Sequence, residues 1–429
     1  MVKSELIQAL NASYPVLAGF FDQYWETPLN KYSESLYHNK AITFETELEE
    51  AFVEEWLEQG FSSDSAYAFL DNLKNRPVLQ TSHHVTPTNG PTFLAYDLVS
   101  LAGLSKDDVY FVAANSGVAF SNAAWSGAVN YGDIPTEELL DSKKPLYHKT
   151  LKASKDREQD GTSDRRISLI PSKQRDQLVF GTDLTSHQTE IYQQFSSALK
   201  SQIGLPEVSR SYSSWACRVC SSIQQKVFDR SNIVYFDINR VISNYLIKIL
   251  TSKDDHPLVS LLFDNGITTV FNKLFDHPNL FLGSYKSKKS IKIETLSWAN
   301  SGTIGSKSGE QTYGRESLAR TLRDKKICPG ILLQFLVLRF MNGVKCLGSF
   351  NQIGYLEEYR NKWESLSLPW DLKLEEDEGI SLTTGRLTRD GKARWPLDLV
   401  WNQERIDVAE YGELPMSEFW MPIALQLAK

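Results

Sequence analysis

The stretch from Arg76 to Pro91, RPVLQTSHHVTPTNGP, constrains the fold of this chain more than any other. A short apolar run, Pro77 to Leu79, leads into two adjacent histidines, His83 and His84. A Pro/Thr/Asn/Gly turn follows, then an apolar segment from Pro91 to Leu104. Pro77 stops any preceding helix, the turn residues break the strand, and a proline suits the first turn of a new helix. The pattern predicts a strand, a loop and a helix over Thr92 to Leu101, followed by a second strand over Val109 to Ala114. If the two strands are parallel, their crossover should be right-handed. Ligands of open α/β sheets collect outside the carboxyl ends of the strands. Two of the seven histidines stand at that place, which marks a site without naming its reaction.

The rest of the chain sets wide bounds. Its 429 residues suffice for one large domain or two to three ordinary ones. Hydrophobic residues make up 41% and charged residues 23%, so the chain can fill a core and disorder is confined to loops. A net charge of −7 opposes a general nucleic-acid-binding surface. Four cysteines in this length do not make a disulfide scaffold. The N-terminal residues show no secretory pattern, and the apolar stretch CPGILLQFLVLRFM is short and holds Gln334 and Arg339. The expectation is a soluble cytoplasmic protein with no membrane partner.

Residues 2–75 read as helical, with Leu6, Leu10, Phe44, Leu48, Phe52 and Trp56 near helical spacing. This N-terminal segment is placed as a cap over a later sheet. Residues 76–368 read as an α/β core, with two subdomains dividing near residue 183. Within it, Ile233 to Phe236 is a buried strand and Asp237 is placed to cap the helix that runs through Leu250. Residues 152–166 read as an exposed loop or lid, and Trp298 to Gly314 as a Gly/Ser-rich loop. Residues 369–429 read as a strand-rich segment with a turn at Asp390–Gly391. The fold class is therefore α/β: a mixed or largely parallel sheet flanked by helices, helical at its N-terminus and β-rich at its C-terminus.

The candidate chemistry centres on His83 and His84 as catalytic residues, since imidazole suits both acid–base work near neutral pH and metal ligation. On a strand the two would face opposite sides; in a turn they converge. Asn115, Ser116 and Asn122 follow the second strand and are assigned to substrate binding, as is Lys307 in the segment SGTIGSKSGEQTYGRES. That segment lacks the Walker spacing. A metal-assisted version would hold a divalent transition metal with His83, His84, Asp133 and His187. His148 is a further candidate, whereas His256 and His277 both precede proline and are assigned to turns. Cys217 and Cys220 form a C-x-x-C pair that is assigned mainly to packing. The lysines at 286, 288, 289 and 292 form a local basic run.

The run HHVTPTNG resembles the HHxxxDG active-site motif of peptide-synthetase condensation domains and related acyltransferases. That resemblance implies His84 as general base for acyl transfer. Here the spacing is one residue longer, Asn89 stands where the motif has Asp, and no DFG-type second motif follows. Three readings remain. The first is an intracellular enzyme of small-molecule metabolism acting on a small polar metabolite by metal-assisted hydrolysis, lyase or group-transfer chemistry. The second is a metal-free acyl or group transferase using His84 as base. The third is a non-enzymatic binding or scaffold protein.

Overall fold

A computed structural model describes residues 3–118, 129–132, 134, 165–167, 211–276, 278–287, 290–306, 309–366, 371–373, 381–389 and 392–428, together with Thr189, Gln193 and Ser197. The described residues form a mixed helix-and-strand protein with a four-stranded parallel sheet, a five-stranded antiparallel sheet and two small antiparallel ribbons. It opens with five helices: α1 (Lys3–Asn11), α2 (Pro15–Tyr24), α3 (Leu29–Ser35), α4 (Thr46–Glu58) and α5 (Ser63–Asn75). Strand β1 (Val78–Gln80), helix α6 (Pro91–Leu101) and strand β2 (Tyr110–Ala114) follow as the sequence predicts. A small antiparallel ribbon pairs β3 (Val129–Tyr131) with β4 (Arg165–Ile167). After α7 (Tyr212–Phe228), strand β5 (Ile233–Asp237) runs directly into α8 (Ile238–Ser252), and the carboxylate of Asp237 caps that helix by accepting from the Asn239 N–H. Two short helices come next, α9 (Pro257–Phe263) and α10 (Asn265–Phe275).

The antiparallel sheet then forms from β6 (Asn279–Ser287), β7 (Ser290–Asn300), β8 (Thr303–Ser306) and β9 (Gly309–Thr312). Helix α11 (Arg315–Arg323) leads to β10 (Ile327–Pro329), which pairs with β6 and completes the order β10-β6-β7-β8-β9. Helix α12 (Ile331–Phe335) widens into a π-turn over Leu336–Met341 and ends before β11 (Lys345–Leu347) and α13 (Phe350–Glu364). The chain closes with a two-residue ladder, β12 (Thr388–Arg389) and β13 (Lys392–Ala393), flanking Asp390–Gly391. Helices α14 (Pro396–Trp401), α15 (Val408–Tyr411) and α16 (Met416–Leu427) follow it.

The parallel sheet has the order β11-β1-β2-β5. Its strands are buried on both faces, and their alternation divides the protein into two cores. Val78, Tyr110, Val112, Ala114, Ile233, Tyr235 and Leu347 face one core with α1, α2, α3, α6, α7 and the C-terminal helices. Leu79, Phe111, Ala113, Val234, Phe236 and Cys346 face the other with α4, α5, α8 and the antiparallel sheet. The described residues 3–75 therefore do not form one cap. Helices α1 to α3 pack on one face of the sheet and α4 and α5 on the other.

Two expectations are corrected. Among the described residues of the C-terminal part, helix outweighs strand, so it is not strand-rich. Met416, Phe419, Trp420 and Ala424 are buried at helical spacing, but Pro422 inside the helix hides the pattern. Trp420 stacks on Phe21 at 4.7 Å, so the two ends of the chain share one core. The Trp298–Gly314 stretch is not a loop but carries the β8–β9 hairpin. Its strands are too polar to show an apolar alternation, and Gly302 supplies a φ of 66° at the entry turn, where a side chain would meet the Tyr313 carbonyl. The proposed division near residue 183 lies outside the described residues.

Candidate functional site

The carboxyl ends of β1, β2 and β5 lie side by side and carry a polar shelf. Beyond Gln80 the chain stays beside β2: the Asn115 N–H donates to the His83 carbonyl (2.8 Å) and the Val85 N–H to the Asn115 carbonyl (3.1 Å). This extension places both histidines at the strand end. They do not splay to opposite faces. Both rings approach Phe93 in the first turn of α6, His83 stacked on it at 4.7 Å and His84 edge-on at 5.5 Å.

The two imidazoles have different surroundings. His83 is fully buried. Its Nε2 lies 3.1 Å from Asp97 Oδ1, without the alignment of a hydrogen bond. Asp97 is also fully buried, and it accepts from the Tyr110 hydroxyl (2.8 Å) and the Tyr235 hydroxyl (2.7 Å). The Asn89 amide in turn donates to the Tyr235 hydroxyl at 3.0 Å. Burial and the neighbouring carboxylate push both tyrosine hydroxyls well above their usual pKa. His84 is half-buried. Desolvation first, and the adjacent His83 second, push its pKa down to about 4, so it is a neutral imidazole at physiological pH.

Just past β2, Asn115 donates to Gln334 Oε1 of α12 at 3.2 Å and accepts the Gly117 N–H at 2.8 Å. Ser116 donates its hydroxyl to Asp237 Oδ1 at 2.7 Å, and its N–H goes to Asn239 Oδ1 at 2.9 Å. Asn115 and Ser116 thus join the histidine end of the shelf to a second polar cluster at the end of β5. That cluster holds Glu55 of α4, whose Oε1 accepts the Asp237 N–H at 3.1 Å and the Gln59 amide at 2.8 Å. Arg240 pairs through Nε with Glu55 (3.1 Å) and through Nη2 with Glu58 (2.7 Å). Burial raises the pKa of both Glu55 and Asp237, and the Arg240 guanidinium offsets part of that rise.

The structure therefore brings together His83, His84, Asn115 and Ser116. Asn122, Asp133, His148, His187, His277 and Lys307 lie outside the described residues. Among the described residues, no group of three His, Cys, Asp or Glu side chains is placed to hold a metal. Cys217 and Cys220 are buried in α7, and burial together with nearby carboxylates raises both thiols well above their usual pKa, which opposes thiolate reactivity. His256 is a helix cap: its Nδ1 accepts the Leu258 N–H at 3.1 Å, which leaves Nε2–H for Glu45 at 3.1 Å.

Sequence reasoning missed Asp97 and Glu55. Asp97 was detectable as the one charged residue in the otherwise apolar helix PTFLAYDLVSL. Glu55 carried no such signal, since α4 holds several other glutamates. A hollow of about 120 Å³ lies at the opposite, amino-terminal end of β1 and β2, lined in part by Arg76 and Asp108. Those two side chains are already paired to each other at 2.8 Å, so the hollow presents no unpaired charge from them.

The fold and the shelf define an α/β protein with a polar, histidine-bearing edge on a parallel sheet. No protein-family model, no curated protein and no solved structure matches the chain. No helix among the described residues is long and apolar enough to cross a membrane.

Proposed function

We propose that the protein is an enzyme acting on a small polar metabolite at the carboxyl end of its parallel sheet, with His84 as general base in a metal-free proton or group transfer. One observation carries this reading: a half-buried, neutral imidazole sits at the strand end, held against Phe93 and beside Asn115. Asn115 and Ser116 supply the neighbouring polar groups. His83 does not act on substrate. Its contacts with Asp97 and Phe93 fix the backbone from which His84 projects. A base of this kind works once deprotonated, and lowering its pKa extends that range toward acid. The acyl-transferase version of this chemistry is one member of the class, supported by the HHVTPTNG resemblance and by the position of His84.

The test is conversion of a metabolite mixture, followed by mass spectrometry, with wild type and His84→Asn side by side. The expected result is turnover by wild type that His84→Asn loses while its thermal midpoint is unchanged. Equal turnover by both would remove His84 from the chemistry. Absence of turnover in any mixture that binds would favour a non-enzymatic binding protein. The metal-assisted version needs Asp133 and His187 in addition to the two histidines. Elemental analysis of tag-free protein is expected to show no near-stoichiometric zinc, iron or manganese. A stoichiometric metal that disappears in His83→Ala/His84→Ala would overturn the metal-free reading and make Asp133 and His187 the next ligands to test.

A further inference from the structure

Three helices meet at one imidazole. His256 stands just before α9, Glu45 just before α4, and Tyr245 lies on α8 with Lys253 at its end. The His256 ring is buried, and its tautomer is fixed from both sides. Its Nδ1 meets the Leu258 N–H at 3.1 Å, a group that only donates, so Nδ1 carries no proton. Its Nε2 meets the Glu45 carboxylate at 3.1 Å, a group that only accepts when ionised, so Nε2 carries the proton. The Tyr245 hydroxyl also donates to Glu45 at 3.1 Å, and the Lys253 ammonium lies 3.7 Å away.

Both ring nitrogens are therefore committed in the neutral form. An imidazolium carries a proton on each nitrogen and accepts nothing. Uptake of a proton turns Nδ1 into a donor and sets it against the Leu258 N–H. The bond to Glu45 survives and becomes charge-assisted on both sides. Glu45 is held below the usual carboxylate pKa, chiefly by the hydrogen bond from His256, so it stays ionised where imidazoles titrate. The other groups around the ring come from every packed element. Glu47 of α4 is held low by Lys253, and Lys253 is held high by Glu47. Burial holds the Tyr245 hydroxyl well above its usual range. Arg315 of α11 binds the Lys253 carbonyl and pairs with Asp254, and Asp255 is exposed beside the ring. Among these side chains only an imidazole ordinarily changes charge near neutral pH.

We propose that His256 is a proton-operated clasp: the neutral ring ties the start of α9 to the start of α4, and the protonated ring keeps α4 and releases α9. What α9 carries gives the release its reach. The Leu262 carbonyl accepts the Gly302 N–H at 2.9 Å, and the Phe263 carbonyl accepts the Ser301 hydroxyl at 2.5 Å. The turn between β7 and β8 is thus seated on the end of α9, and the clasp sets how firmly it is held.

The experiment is a pH series on the full chain with two readouts. Histidine ring nitrogens are followed by NMR, with His256→Asn assigning the signal. Amide exchange of α9 is followed by mass spectrometry and corrected for the intrinsic pH dependence of exchange. At alkaline pH the ring is expected to show the Nε2-protonated tautomer. As it takes up its proton, exchange of the Leu258, Val259 and Ser260 amides should quicken about two- to thirtyfold, the size of a lost N-cap. The Gly302 amide should respond in the same direction. Asparagine caps helices without titrating, so His256→Asn should keep α9 equally protected across the series. Glu45→Gln removes the charge that favours imidazolium, so the ring titration and the α9 response should move together to lower pH. Equal protection of α9 on both sides of the ring titration would overturn the proposal. So would a pH response that persists in His256→Asn, or a ring that stays neutral until the fold is lost. An α9 response that stays in place while Glu45→Gln moves the ring titration would overturn it as well.

Discussion

Asp97 holds a carboxylate in the dry interior with two tyrosine hydroxyls and one imidazole around it, and this arrangement can be weighed by removing the hydroxyls one at a time. Tyr110→Phe deletes the 2.8 Å bond to Oδ1 and leaves Tyr235 and His83 in place. A hydrogen bond to a charged group contributes about 1.5–3 kcal/mol, so a loss in that range is expected. Tyr235→Phe should cost more, because it deletes the 2.7 Å bond to Oδ2 and also strands the Asn89 amide, which donates to the same hydroxyl. In the double variant His83 is the remaining partner of Asp97. Leaving a buried charge nearly unpaired is worse than the two separate losses, so the double variant should exceed their sum by about 0.5–3 kcal/mol. The assay is urea unfolding followed by tryptophan emission, comparing midpoints and slopes for the four proteins. Two single variants each within about 0.5 kcal/mol of wild type, with an additive double variant, would refute the idea that Asp97 carries a charge stabilised by these hydroxyls.

Other expectations can be checked alongside. The His84 imidazole should stay neutral in NMR titrations until the pH approaches 4; an inflection near 6.5 would show a solvated ring. Because its folded pKa lies below the unfolded value, any stability linked to His84 is complete above about 6.5 and declines as the pH falls through the folded value. Glu45 is held below the usual carboxylate pKa, chiefly by its hydrogen bond from His256. Its contribution is present above the unfolded pKa and is lost as the pH falls through the folded one, so Glu45→Gln should flatten the acid side of the midpoint-versus-pH curve. His256→Ala removes the cap on α9 and should cost about 0.5–2 kcal/mol in urea unfolding; no change would show that the Leu258 N–H finds another acceptor.

The local chemistry of the chain was legible in one dimension. Pro77, the Thr-Asn-Gly run and Pro91 punctuate strand, loop and helix, and β1, α6 and β2 fall where those residues put them. Asp237 was readable as a cap because short acceptor side chains before an apolar-periodic run have one common use. Polar strands such as Thr303–Ser306 and Gly309–Thr312 left no such trace, since their pairing depends on neighbours rather than on their own pattern. The helical C-terminus was obscured by Pro422, whose disruption of helix periodicity is overridden by packing against Phe21 and Tyr32.

The sequence by itself determined the α/β alternation and the position of His83 and His84 at a strand end, because turn residues and apolar runs act over a few neighbours. The different surroundings of the two histidines belonged to the tertiary structure. Asp97, Tyr110 and Tyr235 are far apart along the chain, and only the pairing of β1 with β2 and of β2 with β5 brings them around His83 while leaving His84 half-open. Glu55 acquires its partners in the same way, since a glutamate among glutamates becomes a buried carboxyl bonded to the Asp237 N–H and paired with the Arg240 guanidinium only when α4 packs against the end of β5. Burial and charge compensation are properties of surroundings, and those surroundings exist only once distant segments have met.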